Sequence, residues 1–219
     1  MRTKKTVIFL LFFSKKQVFS KFILLYIMIE KEVNNMIEAI FLDRDGTIGG
    51  SNEIQYPGEF QLFPQAKQAI KEIKKQNIPL FSFTNQPDIA KGKVKKSQFI
   101  SELSAFGFDD VYLCPHEDSD NCSCRKPRPG MLLKAAEEHS LNLANCIVIG
   151  DRWKDLVAAS AAGAQCILVL TGAGHDTLHA REKWADVQAV FIAANIREAV
   201  EFIFTSLSSQ PILPHSHTR

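Results

Sequence analysis

Two carboxylates one residue apart, Asp43 and Asp45, are followed by Gly46 and Thr47 and preceded by the apolar run 37–42. The run reads as a buried strand. Gly46 lets the chain turn away sharply, which leaves both acids at the strand's carboxyl end, where open α/β sheets place their ligand crevice. Acids this close repel unless a cation offsets them. A hard divalent ion such as Mg²⁺ does so, and beside it one acid can attack phosphorus while the other moves protons. The competing reading is an acidic turn at a strand end, and the remaining segments decide between them.

Three further segments place polar chemistry at strand or helix ends. Phe83-Thr84-Asn85-Gln86 brings a hydroxyl and exposed backbone N–H groups, donors that suit phosphate oxygens. Arg125-Lys126-Pro127-Arg128-Pro129-Gly130 clusters three cations ahead of a helix, where Lys126 can neutralise a phosphoryl group as a point charge; a solvated basic turn is the alternative. Val148-Ile149-Gly150-Asp151-Arg152 ends another apolar run, so Asp151 is expected to complete the metal site opened by Asp43 and Asp45, with Asp155 supporting it. As helix N-terminal acids, Asp151 and Asp155 would only complement the dipole.

Cys114, His116, Cys122 and Cys124 supply three thiolates and an imidazole within eleven positions. This is a tetrahedral Zn²⁺ set with no open protein position, the mark of a structural site. The acidic stretch 117–121 is too polar to pack a core, so metal is expected to order the loop. Free thiols or a disulfide are the competing readings. Cys146 and Cys166 lie in apolar runs and read as small buried hydrophobes.

These groups need a scaffold that gathers strand ends. Strands are expected over 37–42, 78–83, 111–113, 146–149, 166–170 and 190–192, and helices over 65–76, 97–106, 130–139, 154–162 and 196–207. The βαβα order predicts a doubly wound α/β fold with a mostly parallel sheet covered on both faces. The chain has 219 residues, 46% of them hydrophobic, enough for one domain with an appendage. Of the formal charge of +2, residues 1–35 carry seven Lys and Arg against two Glu; without them the body stands at −3. A mildly acidic body gives no basic surface for nucleic acid. Five cysteines, an odd number, point to a reduced, cytoplasmic setting rather than a disulfide framework.

Residues 1–35 form a basic leader whose two apolar runs fall short of the roughly 20 residues of a spanning helix. A short interfacial anchor is one reading. The preferred one is that Lys31-Glu32-Val33, back-translated as AAGGAGGTG, is a ribosome-binding site and that translation starts at Met36. The domain is then 36–207, followed by a polar, disordered tail over 208–219.

Together, FLDRDGT, FTNQ, CPHx₅CxCRKPRPGM and GDRWKD resemble the haloacid dehalogenase superfamily, in its branch of small zinc-containing phosphatases, over about Met36 to Phe204. The resemblance implies a Rossmann-like core without a large cap domain. It makes Asp43 the nucleophile and Asp45 the acid and base, with Mg²⁺ held by the Asp43 carboxylate, the Asp45 backbone carbonyl and Asp151. Thr84 and Lys126 would stabilise the phosphoryl oxygens with Asn85 nearby, and Arg125 and Arg152 would touch the rest of the substrate. The implied reaction is hydrolysis of a small phosphorylated metabolite by a cytoplasmic monomer that needs neither nucleic acid nor membrane. A heptose-type sugar bisphosphate is the expected substrate and histidinol phosphate the alternative, the latter suggested by the short zinc insert. The loop after DRDGT is shortened, and NQSGIxRG appears as NQPDIAKG. A non-catalytic metabolite-binding protein on the same fold is the rival of another class, and a nucleic-acid 3′-phosphatase a third.

Overall fold

The computed structural model describes residues 37–50 and 55–207. The leader and tail expectations lie outside the described residues. Six strands, β1 (Ala39–Leu42), β2 (Leu80–Asn85), β3 (Asp110–Cys114), β4 (Cys146–Gly150), β5 (Gln165–Val169) and β6 (Phe191–Ala193), form one sheet in the order β3-β2-β1-β4-β5-β6. Every pairing is parallel. Helices α1 (Pro64–Lys75), α2 (Lys96–Ala105), α3 (Gly130–His139), α4 (Trp153–Ala161), α5 (Gly174–His179) and α6 (Ile196–Phe202) cover it.

Each strand is apolar along most of its length because helices bury both faces, as parallel crossovers require. Ile40 and Leu42 of β1 point to one side, where they join Ile70 and Ile73 of α1, Phe99 and Leu103 of α2, and Ile196 and Val200 of α6. Ala39 and Phe41 point to the other, against Phe81, Phe83, Leu132 of α3 and Leu156 of α4. Phe41 is wholly buried and meets Phe81 with ring centroids 5.3 Å apart. Each large apolar side chain of this kind contributes about 1.5–3 kcal/mol by burial.

From β1 the chain steps outward to β2 and β3, then returns to the other side of β1 for β4, β5 and β6. The reversal falls between β1 and β4, and the crevice at such a switch point lies beyond the strands' carboxyl ends. Asp43 leaves β1 there and Asp151 leaves β4 there, with Ala39 to Leu42 in register against Cys146 to Ile149.

Strand and helix expectations match the structure to within about two residues at each end, with two exceptions. The helix expected over 196–207 is α-helical only to Phe202 and continues as a π-helix over Ile203–Leu207. Helix α5 was not expected: at six residues it is too short to show a period, and glycines at 172 and 174 read as breakers.

Candidate active site

The site is built at the switch point. Asp43 is buried and its Oδ1 accepts from the Arg44 backbone N–H at 2.8 Å, while Lys126 Nζ lies 3.0 Å away. Among the described residues none donates to its Oδ2. Gly46, at φ +84°, turns the chain past Asp151, and a Cβ there would fall 2.3 Å from Asp151 Oδ2. Gly172, at φ +54°, packs against the same oxygen, and a Cβ there would lie 2.4 Å from it. Thr47 Oγ1 donates to Asp151 Oδ1 at 3.1 Å and the Ala173 N–H donates to Oδ2 at 2.7 Å, so Asp151 is oriented from both sides.

Asp155 is also fully buried. Its Oδ2 accepts from the Arg152 N–H at 2.9 Å, capping the start of α4, and its Oδ1 stands 2.5 Å from Lys126 Nζ. Ligand oxygens of Asp43, Asp151 and Asp155 lie within 4.8 Å of one another. Burial first, then the like charges of Asp43 and Asp155, push the Asp151 carboxyl up to about 8. Three buried hard oxygen donors in mutual repulsion fit a hard divalent cation such as Mg²⁺. The Asp45 carboxylate stands outside this trio, so of the three acids expected at the metal it leaves only its backbone carbonyl to serve there. Burial pushes the Asp45 carboxyl up to about 6, opposed by Arg44 and reinforced by Asp43.

Lys126 is a buried cation of the site, and its Nζ donates to the Phe83 carbonyl at 2.9 Å. Burial works against its charge, but Asp155 and Asp43 more than compensate and hold its pKa above the ordinary lysine value. Asn85 bridges to it by backbone: Oδ1 accepts from the Lys126 N–H at 3.1 Å and Nδ2 donates to the Lys126 carbonyl at 3.3 Å. The Asn85 side chain is therefore a strut for the Lys126 loop before it is a phosphate contact. Thr84, buried at the end of β2, opens with Asp43, Asp45 and Lys126 onto a cavity of about 400 Å³. Arg125, Arg152 and Lys154 line the same cavity. Lys154 was not singled out by sequence, where its position on a helix's first turn reads as a solvated charge.

Cys114, His116, Cys122 and Cys124 converge. Their Sγ···Sγ separations are 3.3, 3.5 and 3.6 Å, and His116 Nδ1 is 3.5 Å from Cys114 and 3.3 Å from Cys124. Disulfides need S–S near 2.05 Å, so the thiols are free, whereas a tetrahedron of 2.3 Å Zn–S bonds has edges of about 3.8 Å. The donor set and its dimensions fit Zn²⁺. Cys146 and Cys166 are buried in β4 and β5, as their surroundings predict. Arg125, next in chain after Cys124, bonds Asp118 at 2.5 Å and the His116 carbonyl at 2.9 Å, joining the loop to the cavity rim.

Two acids one residue apart, a buried lysine and an acid trio that could hold a cation meet at the switch point of a parallel sheet, an arrangement that suits phosphoryl transfer. A family model for HAD-like hydrolases matches residues 123–199. The chain is 35% identical over 152 residues to D-glycero-beta-D-manno-heptose-1,7-bisphosphate 7-phosphatase of Vibrio cholerae, covering 61% of this chain and 82% of that one. Against the enzyme of the same name from Yersinia pestis it is 38% identical over 157 residues, 62% of this chain and 82% of the other. A crystal structure of D,D-heptose 1,7-bisphosphate phosphatase from B. bronchiseptica, complexed with magnesium and phosphate, superposes with a TM-score of 0.67 at 29% identity, covering 76% of this chain and 98% of that one. The chain belongs to the haloacid-dehalogenase-like phosphatases and is a phosphoric monoester hydrolase. No helix among the described residues is long and apolar enough to cross a membrane.

Proposed function

We propose that this phosphatase acts on a heptose-type sugar bisphosphate, with Asp43 as nucleophile and Asp45 as general acid and base. The observation that carries the reading is the placement of Asp43 beside Lys126 in a cavity that Arg125, Arg152 and Lys154 also line. Asp43 Oδ2 attacks phosphorus, the ester P–O bond breaks, and Asp45 passes its proton to the departing oxygen. The Asp45 carboxylate then takes a proton from water, the hydroxide attacks the aspartyl-phosphate, and inorganic phosphate leaves with Asp43 restored. Lys126 and Thr84 offset the charge on the phosphoryl oxygens, while Asn85 fixes the loop from which Lys126 projects. Mg²⁺, held by Asp43, the Asp45 carbonyl and Asp151, would polarise the phosphoryl group and neutralise charge built up in transfer.

Arg125 and Arg152 are assigned to the second phosphate, which a bisphosphate carries and a simple monophosphate lacks. Zn²⁺ on Cys114, His116, Cys122 and Cys124 is assigned a structural role, because the set leaves no ligand position open. The working unit is a cytoplasmic monomer whose domain spans residues 36–207. The short insert between His116 and Cys122 keeps histidinol phosphate as the second substrate to test. The decisive experiment compares kcat/KM over a panel with heptose bisphosphate, the corresponding monophosphate and histidinol phosphate, with Mg²⁺ and after its removal by chelation. Highest turnover of the bisphosphate, lost with Mg²⁺ and restored on its return, is expected; preference for histidinol phosphate would overturn the substrate.

A further inference from the structure

Among the described residues the largest fully buried side chain is a charged one, Arg44, between the two acids in sequence. Its Nη1 donates to Asp45 Oδ1 at 2.6 Å and to the Gln55 carbonyl at 2.7 Å. Nε and Nη2 both donate to Glu102 Oε2 on α2, at 3.0 and 2.7 Å. The guanidinium carbon sits 3.7 Å from the centre of the Phe60 ring and 5.0 Å from that of Phe99. Glu102 is in turn held by the Gly58 N–H at 3.1 Å. A buried ion pair is weak support for stability, since well-packed apolar side chains serve as well or better. What a planar fork held on every side gives is a fixed direction.

The second oxygen of Asp45 is held independently. Gln86 Nε2 donates to Asp45 Oδ2 at 2.6 Å and to Thr84 Oγ1 at 3.1 Å. The opposite amide orientation would set Gln86 Oε1 against the carboxylate. In the observed one, that Oε1 is buried without a hydrogen-bond partner among the described residues, a cost that an apolar residue would avoid. Two buried polar side chains are thus retained at a cost to folding, and both converge on one carboxylate.

We infer that Arg44 and Gln86 are positioning residues that clamp the two oxygens of Asp45, so that this side chain meets the departing oxygen in one orientation. Both partners only donate, Arg44 through Nη1 and Gln86 through Nε2, so each oxygen of Asp45 keeps a fixed neighbour. The clamp rests on the reading of Asp45 as general acid and goes beyond it by naming what aims the acid. General acid catalysis is worth most where the leaving oxygen is strongly basic. Loss of aim must therefore cost an alkyl phosphate more than an aryl phosphate with a good leaving group.

The test uses full-length enzyme with Mg²⁺, an alkyl monophosphate and para-nitrophenyl phosphate, and reads the first turnover so that the later water attack does not mask the transfer. Variants are Asp45→Asn, Arg44→Met, Arg44→Lys and Gln86→Met. Positioning predicts that Arg44→Met and Gln86→Met each lower the alkyl rate at least about tenfold more than the aryl rate, with half-saturation changed less than about twofold. Arg44→Lys, keeping the charge without the fork, recovers part of that difference. If Arg44→Met fails to fold, Gln86→Met and Arg44→Lys decide the matter. Equal losses on both substrates, or no loss, in folded clamp variants overturns the clamp. Equal losses in Asp45→Asn would instead overturn its assignment as the acid, and discrimination by Asp45→Asn alone would reject the clamp while leaving the acid in place.

Discussion

The role proposed for Asp43 rests on its contacts: Lys126 Nζ and the Arg44 N–H both approach Oδ1. Asp43→Asn is expected to lower para-nitrophenyl phosphate turnover at least about a thousandfold with the fold intact, measured by steady-state assay beside circular dichroism. Thr84→Ser keeps the hydroxyl and most activity. Thr84→Val loses it, and kcat/KM should fall about tenfold or more, as for a hydrogen bond to a charged group. Gly172→Ala places a methyl 2.4 Å from Asp151 Oδ2 at a positive φ. The left-handed backbone alone costs roughly 1–2 kcal/mol, and displacement of Asp151 should raise the Mg²⁺ concentration needed for half-maximal activity. Asp43, Lys126 and Asp151 were legible because each follows an apolar run or precedes a helix in a recognisable order. Arg44 and Gln86 were not: an arginine between acids and a glutamine after an asparagine read as ordinary polar neighbours. Arg44's partners Glu102 and Gln55 lie far away or in a loop, Gln86 reaches Asp45 across 41 positions, and only the fold brings them together.

Among the elements, the loop from Cys114 to Cys124 sets a polar insert, residues 117–121, between soft donors that could hold a metal ion. It runs directly into Arg125 and Lys126, and Gly130 at the start of α3 donates to the Ser123 carbonyl at 3.1 Å. Cys122→Ser should lower zinc content below one equivalent per chain and reduce Tm by on the order of 5 °C, seen by metal analysis and thermal melts. The convergence of the loop's four soft donors was readable because such groups at close spacing have few other uses. Asn85 was readable as a site residue but not as a brace, since its two bonds to the Lys126 backbone cross 41 positions. Helix α5 escaped notice for want of length, although Thr177 within it donates to the Asp151 carbonyl at 2.8 Å and so supports the acid trio.

Over the whole molecule, a body of charge −3 gathers four cations, Arg125, Lys126, Arg152 and Lys154, around a cavity that Asp43, Asp45 and Asp155 also line. Raising ionic strength should therefore depress kcat/KM for a doubly phosphorylated substrate several-fold while kcat changes little, because screening acts on approach rather than on the bound state. The alternating pattern predicted a parallel α/β sheet, but the strand order was not legible, since pairing partners of β1 are separated by tens of residues. That order has a biosynthetic consequence. The hydrogen bond from Thr47 to Asp151 spans 104 positions, so a chain still emerging from the ribosome carries its nucleophile long before the third acid exists. On the proposed roles of Asp43 and Asp151, the nascent half is expected to be silent toward the cell's phosphate esters until synthesis passes β4 and the two halves close around β1.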